Sequence, residues 1–221
     1  MGGDPVNYRD PTGTNRESPT FCDVYPEDPS CDPWYEPFSG LNTEGPPATP
    51  DCSKQFGGSW NLWSSFVTAN SGAAATVAQK ADLPTDWILA WASVESSWGA
   101  GDMFKATGNY FSWHGDGDQL CSNGSLIFNH EGCFSSFESS AMTALFSTDN
   151  NMHYSNYTGS TGLSSSVILT DNATSGPKVA FQALADAGYD TDPVTGPAYG
   201  ATTARRVRLI DRVVNCLQSK E

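Results

Sequence analysis

Residues Leu83–Gly99, LPTDWILAWASVESSWG, are the stretch that decides the fold, and they predict an apolar helix over about residues 84–98. Pro84 suits the first turn, where its missing N–H costs nothing, and Gly99 is a typical stop signal. Several side chains recur at three- or four-residue spacing and therefore share one face of this helix: Ile88, Trp91, Ala92, Glu95 and Trp98. The helix thus carries a single carboxylate on an otherwise apolar stripe.

Glu95 is the chemically informative residue of this helix. A carboxyl group that loses hydration on an apolar face keeps its proton to higher pH, and a protonated carboxyl near neutral pH is suited to general acid catalysis. The alternative interpretation is a buried glutamate that is satisfied by a backbone or side-chain partner and has no chemical role. Periodicity alone does not separate the two interpretations.

A resemblance to a known family favours the first interpretation. VESSWG, followed by NYFSWHG at Asn109–Gly115, resembles the LESGWG…NLFGIKG pattern of glycoside hydrolase family 73, the peptidoglycan glucosaminidases. Phe134–Ala141, FSSFESSA, is similar to that family's F-x-x-Y-x-S segment, and Ala180–Pro193, AFQALADAGYDTDP, to its FAQALQKAGYATDP segment. The resemblance implies a mainly α, lysozyme-like α+β fold with a small β-lobe beside the cleft. It also implies that Glu95 is the catalytic acid.

Further catalytic residues are implied less directly by the same resemblance. A family tyrosine in an N-P-R-Y segment corresponds to Tyr154 in NMHY, with Tyr157 as the alternative. A second acidic residue of the β-lobe would be Glu131 in FNHEGCF, with Asp116 and Asp118 as rivals in a Gly/Asp run that is also typical of a turn. The acetamido group of the sugar or a bound water is the alternative to any second carboxylate.

Aromatic and amide side chains near Glu95 are predicted to bind substrate. Aromatic faces stack on the apolar faces of sugars, and an amide can hydrogen-bond to N-acetyl groups, although core packing is the alternative role for aromatic rings. The predicted substrate-binding residues are Trp98, Asn109, Tyr110, Phe111, Trp113 and Tyr157.

Composition and motifs exclude several classes of function. The formal net charge of −14 and the absence of a basic stripe argue against a nucleic-acid substrate. The RRVR run at residues 205–208 is interpreted as surface decoration of the last helix. The histidines show no metal-ligand spacing, there is no phosphate-binding loop, and no apolar run is long enough to span a membrane. We therefore expect no metal and no cofactor.

The first 55 residues differ in character from the rest of the chain. They are rich in Pro, Asp, Gly and Thr without a sustained apolar period, so residues 1–55 are predicted to be an irregular linker and residues 56–221 the hydrolase-like domain. Asp4–Gly13, DPVNYRDPTG, resembles the NPVNYVDPTG junction of Rhs polymorphic toxins, after which variable C-terminal toxin domains follow. An ordinary turn is the alternative interpretation.

The six cysteines predict disulfides and hence an oxidising compartment. Cys121 and Cys133 flank SNGSLIFNHEG and are expected to clamp the β-lobe. The other two pairs are expected among Cys22, Cys31, Cys52 and Cys216, in an arrangement that ties the N-terminal segment to the last helix. Six buried thiols in a cytosolic protein are the alternative.

The remaining elements are predicted from local patterns. The expected elements are a first helix at 60–66 with a second piece at 73–80, a β-lobe at about 110–134, a helix at about 138–148, a long loop at 155–176, and helices near 177–187 and 202–217.

The functional hypothesis is an antibacterial effector that hydrolyses the β-1,4 bond between N-acetylglucosamine and N-acetylmuramic acid in peptidoglycan. The resemblance to Rhs toxins implies delivery to the periplasm of a target cell and a periplasmic immunity protein as partner. The alternatives are a muramidase or lytic transglycosylase, whose GLMQ-type segment is missing here, a non-catalytic glycan-binding module, and a nuclease toxin.

Overall fold

The computed structural model describes residues 52–147, 163–190 and 194–219. Within these ranges the protein is mainly helical with one two-stranded antiparallel sheet, which confirms the predicted fold class. The elements, in chain order, are α1 (Cys52–Phe56), α2 (Trp60–Ala81), α3 (Thr85–Glu95), α4 (Asp102–Thr107), β1 (Ile127–Phe128), β2 (Glu131–Gly132), α5 (Phe137–Phe146), α6 (Ser165–Asp171), α7 (Pro177–Asp186) and α8 (Tyr199–Gln218). Short 3-10 turns lie at Gly57–Ser59, Ala173–Ser175 and Gly196–Ala198.

Helix α3 lies at the centre of the core. Its residues from Trp87 to Ala92 are buried on every side, as expected of a helix that is apolar around its whole circumference. Helices α2 and α8 pack against it, and α7 in turn packs against α8. The predicted catalytic helix is therefore the element around which the others are arranged.

Helix α2 is continuous, whereas the sequence left open whether its two predicted pieces join. Ala74, Val77 and Ala78 continue the buried face that Phe66 and Val67 begin. The helix ends at Ala81, and Asp82 follows in the left-handed conformation with a φ of 53° while its N–H bonds to the carbonyl of Ala78. This is a common way of terminating a helix.

The predicted loop at 155–176 is wrong over its second half, where α6 forms. Ile168 and Leu169 are buried, and the Ser165 hydroxyl donates a 2.7 Å hydrogen bond to the carbonyl of Ala144 at the end of α5. Packing of two large apolar side chains outweighs the weak helix propensity of the serines in this segment. Residues 155–162 lie outside the described part of the chain.

Two disulfides hold the described chain together. Cys121–Cys133 closes the β-lobe as predicted. Cys52–Cys216 joins α1 to the last turns of α8, which is the predicted link between the N-terminal segment and the last helix. Helix α1 begins inside the segment predicted as an irregular linker, and both of its buried residues, Cys52 and Phe56, face the core. Cys22, Cys31 and the Rhs-like segment lie outside the described residues.

No helix in the described ranges is both long enough and apolar enough to cross a membrane.

Candidate active site

Glu95 is the last residue of α3, and the chain turns sharply directly after it. Ser97, Trp98 and Gly99 adopt positive φ angles of 51°, 60° and 73° in succession. The Ser96 side chain holds this turn, since its hydroxyl donates to the carbonyl of Ala92 at 2.6 Å and accepts from the N–H of Gly99 at 2.9 Å. Left-handed backbone at non-glycine residues is uncommon and clusters at functional sites.

Glu95 is 9 % exposed as a whole residue, and its carboxyl has one close hydrogen-bond donor. The hydroxyl of Tyr199, the first residue of α8, donates to Oε1 of Glu95. The other oxygen, Oε2, forms no hydrogen bond with the residues that the structure describes. A buried carboxylate oxygen without a donor is costly when charged, so this environment favours the protonated acid.

The electrostatics of the site follow from that burial. Desolvation raises the pKa of Glu95 from 4.5 to about 8, with the charges of Asp190 and Glu131 acting in the same direction. The hydrogen bond from Tyr199 and a weaker interaction with the Ser112 side chain lower the pKa by a smaller amount, because they stabilise the charged form. Burial and the neighbouring Glu95 charge raise the pKa of Tyr199 well above 10, so its hydroxyl stays a donor.

The β-lobe carries Glu131 at the start of β2. Ile127 pairs with Gly132 and Phe128 with Glu131 across the hairpin. The two turn residues, Asn129 and His130, both have positive φ, which is the geometry of the type I′ turn that matches strand twist. His114 of the NYFSWHG segment forms a further antiparallel bridge to Glu131, so this segment runs beside β2.

Glu131 is 6 % exposed and belongs to the same acidic cluster as Glu95. Burial raises the pKa of Glu131 to about 8, while a 3.2 Å hydrogen bond from Nδ2 of Asn109 opposes the shift. The rivals Asp116 and Asp118 are exposed, and Asp118 accepts hydrogen bonds from Ser135 at the approach to α5. Of the three β-lobe candidates, Glu131 is the one whose charge acts on Glu95.

Asn109 organises the loop that joins α4 to the β-lobe. Its Oδ1 accepts from the N–H groups of Phe111 and Trp113 at 3.2 and 3.0 Å, and its Nδ2 donates to the carbonyl of Trp113 at 2.9 Å. Together with the hydrogen bond to Glu131, these bonds engage both the oxygen and the nitrogen of the Asn109 amide with groups of the protein itself. Asn109 therefore positions Glu131, and its predicted contact with substrate stays a prediction.

The aromatic residues predicted to bind substrate are packed mainly against other rings. Phe111 is fully buried against Trp91, and Trp113 is 3 % exposed. Trp98 is 8 % exposed and stacks on Trp63 at a centroid distance of 5.6 Å. Tyr110 is half-buried and retains an accessible part. Most of these side chains are therefore core residues, and their contact with sugar rings stays a prediction.

Two residues of the site had no local sequence signal, and both lie in the C-terminal third of the chain. Tyr199 reaches Glu95 across 104 positions of sequence. Asp190, which follows Tyr189 after α7, is buried, accepts a 3.2 Å hydrogen bond from Thr195 and raises the pKa of Glu95. Tyr189 donates to the carbonyl of Phe111 at 2.5 Å. The AFQALADAGYDTDP segment marked this region, but only folding brings it to Glu95.

Tyr154 and Tyr157 lie outside the described residues, so their predicted roles are untested. The part of the chain that the structure describes contains no group of three or more His, Cys, Asp or Glu side chains arranged to hold a metal ion.

Comparison with known proteins yields one structural likeness and no family. No protein-family model matches the chain, and no curated protein matches its sequence. A solved structure described as a type VI secretion system effector-immunity complex from Pseudomonas protegens is similar, with a TM-score of 0.45 and 22 % sequence identity. The match covers 67 % of this chain and 93 % of that chain. At this level of similarity, the match bears on neither the activity of this protein nor the residues that carry it.

Proposed function

We propose that this protein is a glycoside hydrolase that cleaves the β-1,4 bond between N-acetylglucosamine and N-acetylmuramic acid in peptidoglycan. The observation that carries the proposal is the environment of Glu95. This buried carboxyl has a pKa raised to about 8 by desolvation, a hydroxyl donor on Oε1 and no donor on Oε2 among the described residues. Such a group is protonated at neutral pH and is suited to protonate a leaving oxygen.

In the proposed reaction, Glu95 gives its proton to the glycosidic oxygen as the bond from that oxygen to the anomeric carbon breaks. A water molecule then adds to the anomeric carbon and returns a proton to the site. Glu131 is the candidate for the second carboxylate, because it is buried, faces the same cluster and is held by Asn109. The acetamido group of the substrate is the alternative for that role.

The two carboxyls constrain each other. Burial is the main cause that raises the pKa of each carboxyl to about 8, and the charge of Glu131 is among the smaller causes of the value for Glu95. The cluster therefore titrates as a coupled system in which ionisation of one carboxyl favours retention of the proton on the other. After the first of the two protons has left, the pair holds one proton, which is the composition that an acid and a base on opposite sides of a scissile bond require.

The biological role that we propose is that of an antibacterial effector acting in the periplasm of a target cell. The support is the resemblance of Asp4–Gly13 to the Rhs toxin junction, and the two disulfides, Cys52–Cys216 and Cys121–Cys133, which suit an oxidising compartment. Such an effector requires an immunity protein to protect sister cells. The net charge of −14 favours an immunity protein with a complementary basic face.

The proposed chemistry is tested by the ends that digestion leaves. Purified peptidoglycan is incubated with the wild-type protein, and the released fragments are analysed by mass spectrometry. We expect reducing N-acetylglucosamine ends. Reducing N-acetylmuramic acid ends would instead identify a muramidase, and anhydro-muramic ends a lytic transglycosylase. Binding without any cleavage would identify a glycan-binding module.

A further inference from the structure

Arg206 lies beside the candidate site and has no part in the chemistry described above. Its guanidinium carbon lies 4.6 Å from the centroid of the Trp98 ring, and Trp98 is three residues beyond Glu95. Arg206 is seven residues after Tyr199 on α8, so the two share one face and are separated by roughly 10 Å along the helix axis. The same face of α8 therefore contacts the last residue of α3 through Tyr199 and the turn after α3 through Arg206.

Arg206 lacks an acidic partner among the residues that the structure describes. It is half-buried, and its contact within these ranges is the ring of Trp98 rather than a carboxylate. Burial, together with the neighbouring charge of Arg205, lowers the pKa of Arg206 from 12.5 to about 10. The chain has 25 acidic residues against 11 Lys and Arg, so the lack of an ion pair at Arg206 does not follow from a shortage of carboxylates. Desolvated arginines are usually paired with a carboxylate of the same protein. The guanidinium of Arg206 is therefore a candidate binding group for an anion from outside the protein.

The stacking on Trp98 adds to this interpretation. A guanidinium that lies over an aromatic ring is held in place while its N–H groups remain available as donors, and this donor set matches the two oxygens of a carboxylate. Trp98 is itself fixed by its stacking on Trp63 and by the turn that follows Glu95. The arginine is therefore preorganised relative to the catalytic acid.

We propose that Arg206 binds a carboxylate carried by the N-acetylmuramic acid side of the glycan, either on the stem peptide or on the lactyl group itself. This inference rests on the proposed function, because it names the substrate feature that the same site recognises. It assigns a role to one member of the RRVR run, which the sequence indicated only as surface decoration. Arg206 acts through binding and selects charged strands, while bond cleavage remains with Glu95.

The test compares Arg206→Gln with wild type on three substrates. The first is intact peptidoglycan, the second is glycan strands freed of stem peptides so that the lactyl carboxylates are exposed, and the third is the same strands with those carboxylates converted to neutral methylamides. Arg208→Gln is the matched control, since Arg208 is exposed on the same helix.

We expect Arg206→Gln to lower kcat/KM by about 10- to 100-fold on a carboxylate-bearing substrate, the range for losing a hydrogen bond to a charged group, and to leave the neutral strands unaffected. A loss on intact peptidoglycan alone identifies the stem peptide as the source, and a loss on the stripped strands identifies the lactyl group. Arg206→Lys keeps the positive charge but lacks the paired N–H donors of the guanidinium, so its loss of kcat/KM should be smaller than that of Arg206→Gln. Arg208→Gln should behave as wild type on all three substrates.

Two results would overturn the inference while leaving the proposed function intact: an equal loss on the neutral strands, which indicates a purely structural role, or no loss on any substrate. If wild type cleaves none of the three substrates, the proposed function fails and this inference fails with it.

Discussion

At the scale of single residues, the proposed chemistry depends on how one glutamate is desolvated. Glu95 is placed at the end of a largely buried helix, where its charged form lacks water and Oε2 lacks a donor within the described residues. Tyr199 supplies one hydrogen bond, and the surrounding acids Asp190 and Glu131 add repulsion rather than compensation. Glu95 and Glu131 keep their protons near neutral pH chiefly because burial disfavours their charged forms, and the charges of Asp190 and Glu131 add to that effect at Glu95.

Replacement of Glu95 is the most direct consequence of this arrangement. Glu95→Gln keeps the shape of the side chain but removes the transferable proton, so clearing of purified cell walls should slow by about 10²- to 10⁴-fold while the fold persists. Glu138→Gln is the control, because Glu138 is a partly exposed residue of α5 that pairs with Lys80 at 3.0 Å. It should retain wild-type rates. Activity of Glu95→Gln within a few-fold of wild type would remove Glu95 from the mechanism.

The hydrogen bond from Tyr199 to Glu95 leads to a second prediction, which concerns the pH dependence of activity. Activity that requires protonated Glu95 should fall as the pH rises through the pKa of about 8. Tyr199→Phe removes a donor that stabilises the carboxylate, so the pKa rises further and the alkaline limb of the kcat/KM profile moves to higher pH. Tyr189→Phe is the matched control, since that hydroxyl donates to the carbonyl of Phe111. An alkaline limb that moves to lower pH in Tyr199→Phe would contradict the assignment.

At the scale of elements, the site is assembled by close contact between helices. Gly200 follows Tyr199 on α8, and a Cβ at this position would lie 2.2 Å from the carbonyl oxygen of Lys178 on α7. The two helices approach closely because no side chain stands between them. Tyr199 reaches Glu95 from this contact, so the packing of α7 on α8 determines where the hydroxyl lies.

A pair of glycine substitutions tests that contact. Gly200→Ala should force α7 and α8 apart and lower the free energy of unfolding by about 1–3 kcal/mol or more, as overpacking does. Gly72→Ala, in α2, meets no atom within 4 Å and should instead raise the free energy of unfolding by about 0.5–1 kcal/mol, because alanine is the better helix former. Urea denaturation measures both. Equal stability of the two variants would show that α7 and α8 do not pack as described.

The β-lobe depends on a covalent link as well as on its short hairpin. The Cys121–Cys133 disulfide spans 12 positions and encloses the strands that present Glu131. Replacing both cysteines with serine should lower the free energy of unfolding by about 3 kcal/mol, chiefly by releasing the unfolded chain from a closed loop. Denaturant titration measures the loss, and non-reducing peptide mapping should recover the linked pair from wild type. Free thiols at both positions would refute the pairing.

At the scale of the whole molecule, the proposed role predicts toxicity that depends on compartment. Peptidoglycan lies in the periplasm, so expression with a periplasmic signal sequence should round or lyse cells, whereas expression in the cytoplasm should not. Glu95→Gln with the same signal sequence is the control and should be harmless. Microscopy and viable counts measure the effect. Equal toxicity from the cytoplasm would favour the nuclease alternative.

Sequence by itself determined the central helix, the acidic residue on its apolar face and the Cys121–Cys133 clamp, whereas the helical class and the β-lobe were implied by the family resemblance. The apolar period and the two closely spaced cysteines act through near neighbours in the chain, so these features could be predicted locally. The end of the helix was predicted wrongly: it was expected to run to Trp98, but it ends at Glu95, because the chain becomes left-handed from Ser97 onward.

Helix α6, in a serine-rich segment, was not predicted because its cause is not local. The helix is stabilised by packing of Ile168 and Leu169 against core residues that are distant in sequence, and the local pattern contains no signal for that packing.

Only the tertiary structure decided what surrounds Glu95. Tyr199 lies 104 positions away, Asp190 comes from the turn after α7, and Arg206 meets Trp98 through the crossing of α8 over the turn after α3. The pKa of a carboxyl is set by the water it loses and the charges it meets, and both depend on elements that are distant in sequence. The sequence therefore pointed to Glu95, whereas the packing of several distant elements around this residue decided how far its pKa is raised.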